Sequence, residues 1–275
     1  MAGQARIGVS GWVYPHWSGT FFPEGVSQAA RLAHIGRHFS SVEINGTFYS
    51  LKRPAVFEKW RSEVPASFVF AVKASRYYTH MVKLKGVAPI ANFFAQGVLR
   101  LGAQLGPILW QLPPMLPFTP ERARAFYELL PRDIKAAERL ARRHDARLDG
   151  RSALRAPDGR DRPLLHALEV RHASWLSEES LDLMREFGVA LVAADTAGKH
   201  PRSELRTADF AYVRLHGARR LYVGHYTDAE LDDWATRAAR WMRAGSDVYV
   251  YFDNTDVIPA APLDALALEK KIDAA

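Results

Sequence analysis

The sequence predicts an α/β protein, a single-domain parallel (β/α)8 TIM-like barrel. Short apolar runs alternate with amphipathic helical stretches along the whole chain, and about eight of these runs have the length of a strand. The chain has 275 residues, 48% of them hydrophobic, and barrels of this kind use about 250 residues in one unit. No repeat or low-complexity linker divides it, so we expect one domain over residues 1–275.

Each predicted strand is a short apolar run, and most of the runs end in a polar residue. The strands cover residues 6–10, 41–45, 68–73, 107–112, 165–171, 189–195, 211–216 and 247–253. The stretches between them predict helices over residues 28–39, 54–63, 89–105, 120–130, 178–187, 228–244 and 262–272. Thr227 and Glu230 form a capping box at one helix start, and Pro120 stands at the first position of another.

The segment between the fourth and fifth strands is longer than one helix requires. Apolar residues recur at helical spacing from Ile134 to Leu148, which predicts a helical insertion there. Residues 132–163 hold ten Lys or Arg against six Asp or Glu, which accounts for more than half of the net charge of +7. We interpret this stretch as a solvated basic insertion, with a nucleic-acid contact as the alternative.

Several classes of protein are excluded or disfavoured. The chain has no cysteine, which excludes disulfides, thiolate nucleophiles and Cys-ligated metal centres. Gly8-Val9-Ser10-Gly11 matches neither the GxGxxG motif expected of a doubly wound nucleotide-binding sheet nor the GxSxG nucleophile elbow. The first residues do not form a signal peptide and no run is long enough to span a bilayer, so we expect a cytoplasmic protein without membrane contact.

Polar residues stand at the carboxyl ends of the predicted strands, and they share one face there. Side chains two positions apart on a strand point the same way, so Glu43 lies opposite Val42 and Ile44. Helices must cover the apolar face, which turns the polar face toward the barrel axis at the end where barrel enzymes bind substrates. The residues assigned to this face are Glu43, Asn45, Lys73, Gln111, Glu169, Arg171, Asp195, Arg214, His216 and Asp253.

This pattern predicts an acid–base or hydrolytic enzyme acting on a small anionic substrate, phosphorylated or sugar-like. Glu43 or Glu169 is the candidate general base, and Asp195 or His216 its partner. Lys73, Arg171 and Arg214 supply positive charge for an anionic group. Further substrate-binding candidates follow the strands or lie in the adjoining loops: Trp12, Tyr49, Arg76, His172, Trp175, Tyr222, Tyr226 and Asn254. The structural alternative is an internal ion-pair network without a ligand.

Three other functions are compatible with the same residues. A single divalent metal would use Glu169, Asp195, His216 and Asp253, although the interleaved Arg and Lys compete for these carboxylates. A nucleic-acid-binding or endonuclease-like barrel would use the basic charge and loop residues such as Arg219 and Arg220, but no nucleic-acid motif is present. A non-catalytic ligand-binding barrel is the third. The sequence assigns neither a cofactor nor an oligomeric state.

Eight ordered segments resemble the YecE-like domain-of-unknown-function 72 family over nearly the whole chain. The segments are GVSGW, VEINGTFY, KASRYYTH, QLPP, LEVRHASW, RLHG, YTDAELDDWA and VYVYFDN. The resemblance implies a TIM-barrel-like fold and no particular activity. Two positions depart from the family pattern: Asp253 precedes Asn254 where paired asparagines are typical, and Asp264 stands where Asn is expected.

Overall fold

A computed structural model describes residues 2–255 and 258–274, in which every strand pair is parallel. The strands are β1 (Ala5–Val9), β2 (Ser41–Ile44), β3 (Val69–Lys73), β4 (Leu105–Gln111), β5 (His166–Glu169), β6 (Val189–Leu191), β7 (Ala193–Asp195), β8 (Ala211–Leu215) and β9 (Val248–Phe252). They form two sheets in the orders β1-β9-β8-β7 and β2-β3-β4-β5-β6. The α/β class with parallel strands is therefore confirmed.

The two sheets join at both edges into one ring. At one junction Ser10, just after β1, bridges to Glu43 of β2. At the other, β6 and β7 follow each other directly and are separated only by Val192. Gly8 sits where β1 and β2 approach most closely, because a Cβ atom there would lie 2.0 Å from the carbonyl oxygen of Ser41. A glycine is required at this junction.

The helices alternate with the strands and cover the outside of the ring. They are α1 (Arg31–His38), α2 (Gly46–Tyr49), α3 (Pro54–Ser62), α4 (Ala88–Ala95), α5 (Pro120–Leu129), α6 (Ile134–Ala141), α7 (Glu178–Phe187), α8 (Asp228–Arg243) and α9 (Ala260–Asp273). The helix predicted over 89–105 is interrupted: α4 ends before Gly97, whose φ is +111°, and a 3-10 segment follows. None of the described helices is long and apolar enough to cross a membrane.

Two separate hydrophobic cores fill the molecule. The larger lies between the strands and the helices. The smaller lies inside the ring, where alanines of the first half of the sheet face bulky side chains of the second half. Its buried members are Ala71, Leu109, Ala167, Ala190, Val192, Ala194, Phe210, Tyr212, Tyr249 and Tyr251. Because this layer is filled, polar side chains one step further along the strands form the floor of the carboxyl-terminal mouth.

Candidate functional site

The guanidinium of Arg214 is the centre of a buried charge cluster at the carboxyl end of the strands. Arg214 lies two residues after Tyr212, so it shares the inner face of β8, and its side chain is completely buried. It donates to Glu43, Glu169, Asp253 and Ser10 at 2.6–3.3 Å. One cation therefore holds three carboxylates from three different strands or strand ends.

Glu43, predicted as a general base, is completely buried and fully hydrogen-bonded. Its Oε2 accepts from Arg214 Nε at 3.0 Å and from the Tyr212 hydroxyl at 2.6 Å. Its Oε1 accepts from Arg214 Nη2 at 2.8 Å and from the Ser10 hydroxyl at 2.5 Å. These contacts make Glu43 the anchor of Arg214, and they leave its carboxylate no free side toward the mouth.

Glu169, the other predicted base, is held between positive charges. Its Oε2 accepts from Arg214 Nη1 at 2.6 Å, and its Oε1 accepts from Gln111 at 2.9 Å and from Arg171 Nε at 3.1 Å. Burial raises the pKa of Glu169, but the charges of Arg214 and Arg171 outweigh burial and hold that pKa well below its ordinary value. The side chain is an ionised anchor for Arg171, which extends toward the mouth and remains partly exposed.

His216 and Asp253 form a pair beside this anchor. His216 Nδ1 lies 3.0 Å from Asp253 Oδ2, and its Nε2 lies 3.1 Å from Arg214 Nη1 and 3.6 Å from Glu169 Oε1. Burial raises the pKa of Asp253, but Arg214 and His216 lower it to about 2. Burial and Arg214 oppose protonation of His216, yet the two carboxylates outweigh them and raise its pKa. The Tyr222 ring covers the imidazole at 5.6 Å.

Lys73 ends β3 on the same inner face, two residues after Ala71. Its ammonium lies 4.3 Å from the centre of the Phe48 ring, and the residue is only 8% exposed. Within residues 2–255 and 258–274, no carboxylate lies within ion-pairing distance of Nζ, since those of the cluster pair with other groups. Burial and the Arg214 charge lower the pKa of Lys73 to about 8, against the attraction of Asp253.

The structure adds residues that the sequence prediction missed. His80 packs on the same Phe48 ring at 5.3 Å, and burial together with the charges of Arg171 and Lys73 lowers its pKa to about 4. It lies in a π-helical turn, Tyr77–Met81, that follows β3. Burial and the charge of Arg171 also lower the pKa of His200.

Ser10 and Tyr212 were also missed, although each carried a signal. Side chains alternate between the two faces of a strand, and the alternation that placed Glu43 and Arg214 on the inner face also places Ser10 and Tyr212 there. Tyr14 lies in a loop after β1 and donates its hydroxyl to the Ser10 carbonyl at 2.6 Å. His80 stands in one of the family-like segments, whereas nothing in the sequence pointed to His200.

The predicted placement of Asp195 in the ring is wrong. The prediction set Asp195 opposite Val192 and Ala194 and turned it toward the axis, but those two residues belong to the inner core. Asp195 consequently points to the other face of β7, where its partners are Tyr226 and the Ala197 N–H group. Burial is the main cause of its raised pKa. It lines a separate cavity of about 330 Å³ between β7 and α8.

Three predicted substrate-binding residues make structural contacts in the loops after the strands. Trp175 is completely buried, and its indole N–H donates to the Leu116 carbonyl at 2.9 Å. Trp12 packs edge-on against Trp60 with ring centres 5.4 Å apart. His172 Nδ1 accepts from the Ser174 N–H group at 3.2 Å and caps a short helical turn. These side chains shape the loops.

The remaining candidates divide between loop anchors and exposed positions. The Tyr226 hydroxyl accepts from the Gly217 N–H group at 3.0 Å. Asn254 donates to Asp264 at 2.8 Å, and Asp264 also accepts from the Tyr226 N–H group and from His225. Asp264 thus anchors the loop at the end of β9. The positions left at least partly open to solvent are Asn45, Tyr49, Arg76 and Tyr222.

The candidate metal ligands do not converge on an open position. Glu169, His216 and Asp253 lie together, but the Arg214 guanidinium occupies the space between the two carboxylates. The fourth candidate, Asp195, lies in the separate cavity. Across the described ranges no group of three or more His, Asp or Glu side chains has metal-binding geometry.

Comparison with known proteins yields a family match, two similar bacterial proteins and a similar solved structure. A family model described as "Protein of unknown function DUF72" matches residues 6–275. The chain is 25% identical over 287 residues to the UPF0759 protein YunF of Bacillus subtilis, covering 90% of this chain and 88% of that protein. It is 28% identical over 124 residues to the UPF0759 protein YecE of Escherichia coli, of which the match spans only 42%. A solved DUF72 structure from Thermotoga maritima has the same fold, with a TM-score of 0.75, 23% identity and coverage of 98% and 99% of the two chains.

Proposed function

This chain belongs to the DUF72 family of proteins of unknown function, and we propose that it is a barrel enzyme that carries out acid–base chemistry on a small anionic substrate. The site lies at the carboxyl-terminal mouth of the strands, where Lys73, Arg171 and the His216–Asp253 pair converge. Compounds with a phosphate or carboxylate group are the substrate class.

The observation that carries this proposal is the buried position of Lys73, whose ammonium has no carboxylate partner of its own among the described residues. Glu43, Glu169 and Asp253 are committed to Arg214. The Lys73 ammonium lies over the Phe48 ring, and these carboxylates make their ion pairs with other groups. Burying an unpaired cation costs several kcal/mol, so an anionic ligand that pairs with it there gains a strong interaction.

Arg171 is the second group suited to bind the anion. Its guanidinium uses Nε and one terminal nitrogen on Glu169 Oε1, both at 3.1 Å, while the side chain remains partly exposed. A planar guanidinium held on one edge by a carboxylate can present its other donors to a phosphate or carboxylate. Arg76, in the loop after β3, adds exposed positive charge on the same side as His80.

His216 is the group suited to transfer a proton. The Asp253 carboxylate lies 3.0 Å from its Nδ1, and the neighbouring carboxylates favour the protonated ring. An imidazolium oriented in this way acts as a general acid when the substrate reaches it. Access requires Tyr222 to move, and that residue is 38% exposed in a loop with a φ of +67°.

Thermal-shift and turnover measurements on the full chain test the proposal. We expect phosphorylated sugars and hydroxy acids to raise the melting temperature, whereas the corresponding neutral sugars leave it unchanged. Arg171→Gln should abolish this shift. The matched control is Arg243→Gln, which changes an exposed arginine at the end of α8. This end of the helix lies near the start of β1, since the Met242 carbonyl accepts from the Gly3 N–H group, and it is therefore away from the carboxyl ends of the strands.

For a substrate found in this way, His216→Gln should lower kcat by about 10²–10⁴-fold, the usual contribution of general acid–base catalysis. Stabilisation by neutral and anionic compounds alike, or an Arg171→Gln variant that binds anions as the wild type does, would contradict the proposal.

A further inference from the structure

Resting on the proposed function, we propose that Lys73 is a nucleophile that forms a Schiff base, so that the anionic substrate carries an aldehyde or ketone. The proposal concerns the Nζ atom of Lys73 and the Phe48 ring on which it lies. Arg171 would bind the charged end of the substrate while its carbonyl carbon reaches Nζ.

The position of Lys73 suits a nucleophile better than a structural ion pair. A lysine retained for stability in this cluster would contact one of its carboxylates, yet the guanidinium of Arg214 occupies those positions. The Lys73 ammonium instead lies against the face of the Phe48 ring, which attracts a positive charge and would stabilise an iminium at this position in the same way. The residue is 8% exposed, which leaves a narrow approach from the mouth.

The surrounding charges make the neutral amine accessible. The charged groups that act on Lys73 are Arg214, which lowers its pKa, and Asp253, Glu169 and Glu43, which raise it. Burial is the largest influence, and the balance sets the Lys73 pKa at about 8. At pH 7 about a tenth of the Lys73 side chains are then neutral, compared with well under a thousandth for an exposed lysine of ordinary pKa.

The Lys73 side chain and the carbonyl compound together supply every atom of the reaction. The amine nitrogen adds to the carbonyl carbon and forms a carbon–nitrogen bond, and the carbon–oxygen bond then breaks. Two protons of the original ammonium leave with the carbonyl oxygen as one molecule of water, and the positive charge remains on the iminium nitrogen. No oxidation or reduction takes place.

His80 is suited to carry the proton between these steps. It shares the Phe48 ring with Lys73, and burial together with the charges of Arg171 and Lys73 keeps its imidazole neutral at pH 7. Its Nδ1 lies 2.8 Å from the Thr79 hydroxyl, which orients the ring. A neutral imidazole can take the proton released by the amine and return it to the departing oxygen.

Reductive trapping of the full-length protein tests the proposal. Glycolaldehyde phosphate is the anionic probe, glycolaldehyde is the neutral probe, and cyanoborohydride reduces any iminium to a stable secondary amine at pH 7. Peptide mapping by mass spectrometry then compares Lys73 with Lys52, a partly exposed lysine whose Nζ donates to Ser50. We expect initial labelling of Lys73 at least about ten times faster than that of Lys52, from the larger neutral fraction.

Two arginine variants serve as matched controls. Lys73→Arg keeps the positive charge but cannot form an imine, so fast labelling should disappear while the melting temperature stays close to that of the wild type. Lys52→Arg should leave fast labelling intact. Labelling of Lys73 no faster than that of Lys52 would overturn the Schiff-base assignment.

The outcomes separate this inference from the proposed function. If anionic compounds stabilise the protein through Arg171 but the probes do not label Lys73 rapidly, the Schiff base is refuted and the anion site stands. If both probes label Lys73 equally fast and no anion binds, the nucleophile stands and the anionic substrate is refuted.

Discussion

Arg214 and Glu43 form a two-point ion pair in which both side chains are completely buried, with Nε 3.0 Å from Oε2 and Nη2 2.8 Å from Oε1. The pair joins β8 to β2 across the inside of the ring. Arg214 also holds Glu169 and Asp253, so its removal would leave three largely buried carboxylates without the cation that they share. The predictions below follow from this cluster and from the layers next to it.

Replacing Arg214 should destabilise the protein strongly. Because Arg214→Ala leaves buried carboxylates without their counter-ion, we expect a loss of about 3–5 kcal/mol in the free energy of unfolding. Urea unfolding monitored by circular dichroism measures this loss. Arg219→Ala, an exposed arginine in the loop after β8, should change the value by less than about 0.5 kcal/mol. Similar stabilities for the two variants would show that Arg214 is not the electrostatic centre.

Asp253 should control the protonation of His216. The Asp253 carboxylate lies 3.0 Å from Nδ1 and favours the imidazolium, so Asp253→Asn should lower the His216 pKa. NMR titration of the imidazole ring in wild type and variant measures the change. Asp195→Asn is the matched control, since Asp195 lies in the separate cavity and should leave the His216 pKa unaltered. If Asp253→Asn and Asp195→Asn changed the His216 pKa equally, Asp253 would not be the group that controls the protonation of His216.

His166 should make the protein sensitive to mild acid. It is buried between β4 and the end of α5: Nδ1 accepts from the Trp110 indole at 3.1 Å, and Nε2 donates to the Pro131 carbonyl at 2.8 Å. Burial is the main reason that its folded-state pKa is about 4, below the unfolded value of about 6.5. The unfolded chain therefore binds more protons in this range, and stability falls as the pH drops from about 6.5 to 4.

The loss attributable to His166 is about 3 kcal/mol, since each pKa unit corresponds to about 1.4 kcal/mol. His166→Gln retains one donor and one acceptor without the titration, so its stability should approach that of the wild type as the pH falls. Urea unfolding at several pH values checks this. A constant difference between the two proteins from pH 7 to pH 4 would contradict the assignment.

Gly8→Ala should impair closure of the ring. The added methyl group would lie 2.0 Å from the Ser41 carbonyl oxygen, which forces β1 and β2 apart. We expect a loss of more than about 3 kcal/mol, or failure to fold, measured by thermal unfolding. Gly46→Ala in α2 is the control, because its Cβ would meet only the flexible Lys52 side chain at 3.3 Å. Equal tolerance of both substitutions would disprove the close approach.

The sequence by itself determined the order of the parallel strands and the face that most of their polar ends occupy. At the carboxyl ends of the predicted strands 41–45, 165–171 and 211–216, apolar and polar residues alternate, and a shift of one residue would bury charge among the helices. This alternation was sufficient to place Glu43, Glu169 and Arg214 on the axis. The family-like segments independently indicated the same family, which the match over residues 6–275 confirms, and the solved DUF72 structure from Thermotoga maritima shares the fold.

Only the tertiary structure decided which charges pair and which remain open to the mouth. The stretch 189–195 contains only apolar residues before Asp195, so it has no alternation that specifies a face, and packing of Val192 and Ala194 inside the ring turned Asp195 outward. Pairing depends on distances between side chains of different strands, which local patterns do not encode. For that reason the central role of Arg214 and the unpaired position of Lys73 among the described residues emerged only from the fold.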